Sequence, residues 1–307
     1  MSGGDRLLST DVADDPSSAP AWFQTALAAL PERGTTVSSG VRIQWRAWGQ
    51  ADRPGLILLH GGGAHSAWWD HIGPHLTTDR RVLAIDFSGH GDSGRRATYD
   101  IESWAAEVVA VAGEAGFAHG LVVVGHSMGA LVALSCVPRL GDAVAGAILV
   151  DPPVRIPDTA QRLLRERFAT KPARVYPDRE AAVRSWRPSP QQFVIPHVGR
   201  HIAEESIREV DGGWTWKFDP ANFDRSEPDP HQWTPSPCPV TVLRAEHGML
   251  SPDMADLLER RVGPRVRITQ MAGAGHHVML DRPVELIDAI STATDDFTRG
   301  AQRAVTG

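Results

Sequence analysis

The stretch V-V-V-G-H-S-M-G-A-L at residues 122–131 decides the fold of this chain. Its three β-branched valines predict a buried strand, and the small and apolar residues after the serine predict a helix. Gly125 and Gly129 flank Ser127 at the turn between them, where a Cβ would strike the neighbouring strand or helix. Ser127 is therefore expected at the apex of a strained turn, with its hydroxyl exposed above a sheet. The alternative role for Ser127 is to cap the helix that follows.

Further apolar segments on both sides of this stretch make strands and helices alternate along the chain. Strands are predicted at residues 41–48, 56–59, 82–86, 147–150, 240–243 and 266–269, and helices at 21–30, 101–115, 253–261 and 283–294. Most of the strands are continuous apolar runs, which is typical of strands buried on both faces. The alternation therefore predicts an α/β fold with a mostly parallel, doubly wound sheet.

The alternation is interrupted between residues 152 and 236. This segment holds twelve of the 23 prolines, together with Trp186, Trp214 and Trp216, and only residues around 159–169 have helical spacing. We interpret it as a cap inserted over a pocket, and the alternative is a surface excursion that does not touch substrate. The remaining chain divides into an N-terminal extension (1–35), a core in two parts (36–151 and 237–297) and a C-terminal tail (298–307).

Composition and charge narrow the class of protein. The 307 residues are 42% hydrophobic and 22% charged, which is ordinary for a globular domain. A net charge of −6 offers no basic excess for nucleic acid or for an anionic membrane surface. No stretch of about 18 apolar residues and no apolar signal region is present. We therefore expect a soluble, cytoplasmic monomer or homodimer that acts on a small molecule.

Reactive residue types follow several of the predicted strands. An H-G-G-G loop at 60–63, Ser127, Asp151, Glu246 and His276 all come shortly after strand ends. Ligands of open parallel sheets bind at the carboxyl ends of the strands, so these groups are expected on one rim. A serine hydroxyl becomes a nucleophile when an imidazole takes its proton, and a carboxylate orients that imidazole.

Four motifs in this order resemble the α/β-hydrolase superfamily. They are H-G-G-G at 60–63, D-F-S-G-H-G-D-S at 86–93, G-H-S-M-G at 125–129 and G-A-G-H-H at 273–277. The resemblance covers roughly residues 36–151 and 237–297. It implies an α/β-hydrolase fold with Ser127 as nucleophile.

The same resemblance implies roles for other residues. The general base of the superfamily follows G-x-G, which favours His276 over His277. The backbone N–H groups of Met128 and Gly62 are implied as the oxyanion hole, which holds the negative oxygen of the tetrahedral intermediate. The simpler interpretation of the H-G-G-G loop is a tight turn.

The acid departs from the commonest pattern of the superfamily. In that pattern an aspartate follows the strand after the cap, and the matching position here is Gly248. Some members, including certain lactonases, an amide-cleaving hydrolase and cofactor-free dioxygenases, carry the acid after the strand that follows the serine's helix. Asp151 has that position, 24 residues after Ser127, and is the predicted acid. Glu246 is the alternative acid, and Asp253 lies too far along the next helix.

The substrate pocket is predicted to include Gly63, Trp186, Trp214, Trp216 and His277. Five arginines of the cap are candidates to receive a substrate carboxylate, although solvated surface charge is the simpler explanation of most: Arg162, Arg165, Arg167, Arg184 and Arg187.

Neither a metal nor a cofactor is expected. No H-E-x-x-H or H-x-H cluster occurs, and the adjacent side chains of His276 and His277 are expected to diverge. No Lys-Ser or Lys-Thr pair follows the glycines at 61–63, which argues against a phosphate-binding loop.

These features predict a serine hydrolase that forms an acyl-enzyme from a small to medium, partly apolar ester or lactone, or from an amide. One rival is a cofactor-free oxygenase on the same fold, in which the His–Asp pair deprotonates the substrate. The other is a non-catalytic ligand-binding member, against which the intact pair of Ser127 and His276 argues.

Overall fold

The structure is a computed structural model that describes residues 19–154, 159, 163, 166, 173–225, 229–230 and 233–306. Its strands are β1 Glu32–Ser38, β2 Val41–Trp48, β3 Gly55–Leu59, β4 Arg81–Ile85, β5 Leu121–His126, β6 Val144–Val150, β7 Ile207–Val210, β8 Gly213–Trp216, β9 Val240–His247 and β10 Val266–Gly275. Its α-helices are α1 Ala21–Ala28, α2 Ile101–Glu114, α3 Met128–Leu140, α4 Arg179–Ser185, α5 Pro196–Glu205, α6 Pro252–Val262, α7 Val278–Asp281 and α8 Pro283–Thr306.

Eight strands form one large sheet in the order β1-β2-β4-β3-β5-β6-β9-β10. The pairings of β2 with β1 and with β4 are antiparallel, and the pairings from β4 to β10 are parallel. The predicted mostly parallel α/β sheet is therefore confirmed. Parallel neighbours end at the same edge, so the loops after β3, β5, β6, β9 and β10 gather there.

The central strands are buried because helices cover both faces of the sheet. Leu59 and Ile57 of β3 belong to a core with residues of α2, α3 and α6, whereas Leu56 and Leu58 belong to a core with residues of α1 and α8. Successive side chains of a strand point to opposite faces, so each face needs its own apolar set. This explains why the strands are continuous apolar runs.

The structure adds elements that the sequence did not predict. Strand β1 pairs with β2 along its whole length and crosses the proposed boundary at residue 35. Helix α8 continues to residue 306, through the proposed tail. The helical spacing around residues 159–169 lies outside the described residues.

The chain between β6 and β9, residues 152–236, is called the insert below. In its described part, no strand joins the large sheet. Helices α4 and α5 and the hairpin β7–β8 surround a small core of Tyr176, Ala182, Val183, Ala203 and Ile207. Among the described helices of the whole chain, none is both long and apolar enough to cross a membrane.

Candidate active site

Ser127 occupies the sharp turn between β5 and α3. Its backbone has φ 52° and ψ −122°, a strained conformation for a residue with a side chain. A Cβ on Gly125 would overlap the carbonyl of Gly129, and a Cβ on Gly129 would lie 2.6 Å from the carbonyl oxygens of Leu59 and His60. Both glycines are therefore required, as predicted. Ser127 precedes the helix, but its side chain makes no capping hydrogen bond.

His276 lies between the predicted nucleophile and the predicted acid. Its Nδ1 is 2.7 Å from Oδ2 of Asp151, and its Nε2 is 2.9 Å from Oγ of Ser127. A carboxylate only accepts, so Nδ1 carries the proton and Nε2 is free to accept the serine hydroxyl. The three side chains thus form one continuous hydrogen-bond chain.

Asp151 is fixed by the loop after β9. It is completely buried, and its backbone has φ 43°. Oδ2 accepts the N–H of Met249 at 2.6 Å, and Oδ1 accepts the N–H groups of Ala245 at 3.2 Å and Leu250 at 3.4 Å. These donors stabilise the charged carboxylate and hold it in the orientation that His276 requires.

The position of the acid is linked to the glycine at 248. A Cβ on Gly248 would overlap the carboxylate of Asp151. The carboxylate therefore fills the space above position 248, where the commonest pattern of the superfamily has its aspartate. An aspartate at position 151 and an aspartate at position 248 would occupy the same space, so the chain can carry only one of them.

Glu246 is directed elsewhere. Its carboxylate is exposed, and Oε2 accepts the N–H of Gly273 at 2.7 Å. Asp253 is exposed in the first turn of α6. The structure therefore brings Asp151 to His276, and not Glu246.

Two further histidines pack against His276. Its ring centroid is 4.9 Å from that of His126 and 4.7 Å from that of His277. Burial lowers the pKa of both neighbours well below the ordinary value, so both are uncharged at neutral pH. Uncharged neighbours do not oppose the positive charge that a base gains. His126 also donates its Nε2–H to the carbonyl of His276 at 3.0 Å.

The expectation that His276 and His277 diverge is wrong. One nitrogen from each of His126, His276 and His277 lies within 4.8 Å of the others, a set that could hold a metal ion. A metal on His276 would have to break its bond to Ser127 or to Asp151, because both ring nitrogens are engaged. The expectation of no metal stays a prediction.

The H-G-G-G loop lies against the serine. A Cβ on Gly61 would be 3.1 Å from Cβ of Ser127, and the N–H of Ala64 donates to the carbonyl of Gly61 at 3.2 Å, which closes a tight turn. Gly62 is exposed, and Met128 begins α3 beside Ser127. N–H groups in the first turn of a helix lack intrahelical partners and favour negative charge.

The aromatic ring of Phe223 covers this loop, and the sequence analysis missed it. Its Cζ is 3.3 Å from the position of a Cβ on Gly63, and its Cε1 is 3.9 Å from that on Gly62. Sulfur Sδ of Met128 is also 3.9 Å from the latter position. No local pattern around residue 223 predicts this contact, because it joins the insert to a loop about 160 residues earlier.

The predicted pocket tryptophans all pack against the small core of the insert, and Trp186 also reaches the main core. Trp186 contacts Trp68 at 6.0 Å between centroids, and Trp68 in turn contacts His277 at 5.4 Å. For Trp214 and Trp216, by contrast, only the packing against the insert core is observed. Their role as pocket residues therefore stays a prediction.

The two candidate arginines that the structure describes give little support for a carboxylate site. Arg184 and Arg187 are exposed. Arg162, Arg165 and Arg167 lie outside the described residues.

Comparison with known proteins identifies the family. Residues 56–289 match the alpha/beta hydrolase family. The chain belongs to this family. It is a hydrolase. Relatives named as esterases and lipases support the cleavage of ester bonds, without specifying the substrate.

Individual relatives of this alpha/beta hydrolase differ in how much of the chain they match. A pimeloyl-[acyl-carrier protein] methyl ester esterase of Sodalis glossinidius (strain morsitans) is 36% identical over 110 residues, which cover 36% of this chain and 40% of that protein. An esterase of Mycobacterium tuberculosis is 26% identical over 266 residues, which cover 81% of this chain and 85% of that protein. The crystal structure of E-2-(acetamidomethylene)succinate hydrolase has a TM-score of 0.72 at 21% identity, covering 86% of this chain and 99% of that one. At that identity the likeness establishes the fold alone.

Proposed function

We propose that this chain cleaves carboxylic esters through an acyl-enzyme, with Ser127 as nucleophile, His276 as general base and Asp151 as the acid that orients it. The observation that carries the proposal is the hydrogen-bond chain from Ser127 Oγ through both ring nitrogens to Asp151, with distances of 2.9 and 2.7 Å. Nucleophile, base and orienting group within hydrogen-bond reach are the geometric signature of nucleophilic catalysis.

The first half of the reaction transfers the acyl group to the enzyme. Nε2 of His276 takes the hydroxyl proton while Oγ of Ser127 attacks the ester carbonyl carbon. The tetrahedral oxyanion is received by the N–H groups of Met128 and Gly62. The protonated imidazole, stabilised by Asp151, then gives its proton to the alkoxide, which leaves as the alcohol.

The second half returns the enzyme to its starting state. His276 takes a proton from a water molecule as the water oxygen attacks the acyl carbon. Collapse of the second tetrahedral intermediate releases the carboxylic acid, and Oγ of Ser127 regains its proton from Nε2.

The substrate class is a small to medium, partly apolar ester. The support is the aromatic ring of Phe223, which lies beside Gly62 and Gly63. The relatives named as esterases favour esters over amides, and lactones remain within the proposal because they are cyclic esters.

The test is a panel of p-nitrophenyl esters of increasing chain length with γ- and δ-lactones, assayed with the wild type and Ser127→Ala. We expect kcat of Ser127→Ala to fall by about 10⁴-fold or more, because the nucleophile is lost. Ser135→Ala is the matched control, since Ser135 lies on α3 and bonds exposed Glu102. Its kcat should equal that of the wild type.

A mass spectrum of protein quenched during turnover checks the intermediate directly. We expect the mass of one acyl group on a peptide that contains Ser127. Hydrolysis that survives Ser127→Ala would contradict the proposal. Oxygen uptake that survives the same substitution would instead indicate the oxygenase.

A further inference from the structure

Side chains from outside the loop hold the backbone on both sides of His276. Oδ2 of Asp281 accepts the N–H of Gly275 at 2.7 Å. Oε1 of Gln192 accepts the N–H of His277 at 2.7 Å. The N–H of the residue before the base and the N–H of the residue after it are thus each bound by a side chain.

These two side chains also bond each other. Nε2 of Gln192 donates to Oδ2 of Asp281 and to the carbonyl of His277, both at 3.1 Å. We call this arrangement the Gln192–Asp281 clasp. One amide and one carboxylate therefore bind Gly275 and His277 together, and neither could move without disturbing the other's partner.

Gly275 lies at the point where the two side chains of the clasp pack against the loop. A Cβ on Gly275 would be 2.9 Å from Cδ of Gln192 and 3.0 Å from Oδ2 of Asp281. Both distances are shorter than ordinary carbon contacts, so a larger residue would push the clasp away. The side chains lie directly on the backbone that carries His276.

The clasp joins the insert to the core. Gln192 belongs to the insert, whereas Asp281 ends the short helix α7 that follows His276. Nearby, the N–H of Ile195 in the insert donates to the carbonyl of Leu280 at 2.9 Å. This part of the insert is therefore attached at the loop that carries His276.

Asp281 is ionised under ordinary assay conditions. Burial raises its pKa to about 6, which still leaves a carboxylate above neutral pH. An ionised oxygen can accept from Gly275 and Gln192 at once. It forms stronger hydrogen bonds than a neutral acceptor would.

We propose that Gln192 and Asp281 are positioning residues for His276, so that the position of the insert determines the orientation of the imidazole ring. The proposal rests on the proposed function, because it requires His276 to act as the base. The ring must reach Ser127 on one side and Asp151 on the other, and a small displacement of the backbone at Gly275 and His277 lengthens these bonds. Misplacement of a reacting group by about 1 Å can cost as much as 10²-fold in rate.

The test compares Gln192→Ala and Gln192→Glu with the matched control Gln191→Ala, whose side chain is exposed. We expect kcat of Gln192→Ala to fall about 10-fold while KM changes less than about 2-fold. Glutamate has the same length but directs an oxygen at the carbonyl of His277 and at Asp281. Gln192→Glu should therefore lose at least as much kcat as Gln192→Ala, and Gln191→Ala should match the wild type.

These variants separate positioning from two simpler roles. If Gln192 only fills space, the isosteric Gln192→Glu keeps the wild-type kcat, and the proposal is overturned. If Gln192 contacts substrate, KM changes and kcat does not, which also overturns it. Asp281→Asn provides a second approach, and it should lower kcat because a neutral amide binds Gly275 less strongly.

A spectroscopic measurement keeps this test independent of substrate. In the wild type, the Nδ1 proton that His276 shares with Asp151 should give a downfield proton resonance. We expect Gln192→Ala to shift or broaden that resonance and Gln191→Ala to leave it unchanged. An unchanged resonance in Gln192→Ala, with kcat also unchanged, overturns the clasp alone. Absence of Ser127-dependent hydrolysis by the wild type overturns the proposed function, and the resonance still decides the clasp.

Discussion

The large sheet and the insert hold their functional residues by different means. Ser127 and Asp151 lie at the ends of adjacent strands, and their positions follow from backbone pairing between β5, β6 and β9. The insert reaches the same region through separate side chains, such as Gln192 over the loop of His276 and Phe223 over the H-G-G-G loop. The core therefore determines that Ser127 and Asp151 lie close to His276. In our proposal the insert adjusts the orientation of the imidazole ring between them.

This difference has a physical basis. Strand pairing repeats along many residues and is supported by apolar cores on both faces of the sheet. The attachments of the insert described above are separate local contacts between residues far apart in sequence, such as the side chain of Gln192, the backbone N–H of Ile195 and the ring of Phe223. Changes in the core should therefore alter the chemistry strongly, and changes in the attachments should alter stability or rate by smaller amounts.

The strongest test of the core moves the acid between the two positions that share one space. Asp151→Gly removes the carboxylate and should lower kcat by about 10⁴-fold. Glycine suits the left-handed backbone at φ 43°, so the fold should persist. The double variant Asp151→Gly with Gly248→Asp should recover at least about 10-fold, because the new carboxylate enters the vacated space.

The single variant Gly248→Asp is the control for this transfer. It should be less active than the wild type, because its side chain overlaps the carboxylate of Asp151. The measurement is kcat on the same ester. A double variant no more active than Asp151→Gly would show that a carboxylate at position 248 cannot replace the one at position 151.

Acid should destabilise the core through its buried histidines. Burial lowers the pKa of His71 to about 3 and of His60 to about 4, against about 6.5 in an unfolded chain. Between these values the unfolded chain binds more protons, so stability rises with pH and is lost as pH falls below about 6.5. Burial also lowers the pKa of four more core histidines, namely His65, His90, His126 and His277.

His60 and His71 should each cost about 1–2 kcal/mol of folding stability between pH 7 and pH 5, and the other four histidines act in the same direction. Asp281, with its pKa raised to about 6, acts in the opposite direction but is a single group. Urea unfolding at pH 7.5 and pH 5 measures the difference. Equal stability at both values would show that these histidines are protonated in the folded protein.

The attachment of the insert to β2 can be removed separately. Buried Arg46 pairs with Asp70 of the core and with Glu205 of the insert, each at 2.7 Å. Arg46→Met removes the cation from both carboxylates, while Asp70 keeps its contact with Nε2 of His201 at 3.1 Å, and should cost about 3 kcal/mol. The exposed Arg53→Met is the control and should change stability by less than about 0.5 kcal/mol.

Hydrogen exchange locates the effect of Arg46→Met. Helix α5, which carries Glu205, should exchange faster, while β5 and β6 keep their protection. Uniform loss of protection across the sheet would mean that the attachment supports the whole fold, and the distinction between core and insert would fail.

The sequence predicted the core because its signals are local. The apolar run and the two glycines around Ser127 specify strand, turn and helix within ten residues, and the structure confirms them. Asp151 was predicted to be the partner of His276, and the structure brings the two side chains together. Its role in catalysis stays a prediction.

The remaining features depend on contacts that no local pattern reports. Strand β1 has few apolar residues and was missed, because its pairing with β2 and not its composition makes it a strand. Phe223 over the H-G-G-G loop and Gln192 over the loop of His276 were missed for the same reason. The convergence of His126, His276 and His277 depends on the path of the chain after β10, which spacing alone did not reveal.

The central claim is that Asp151, and not Glu246, orients the imidazole that activates Ser127. The most direct measurement is kcat/KM on one good ester for Asp151→Asn beside Glu246→Gln. The 2.7 Å bond from His276 to Asp151 predicts a fall of about 10⁴-fold for Asp151→Asn and less than about 3-fold for Glu246→Gln. A collapse of Glu246→Gln together with an active Asp151→Asn would contradict the account.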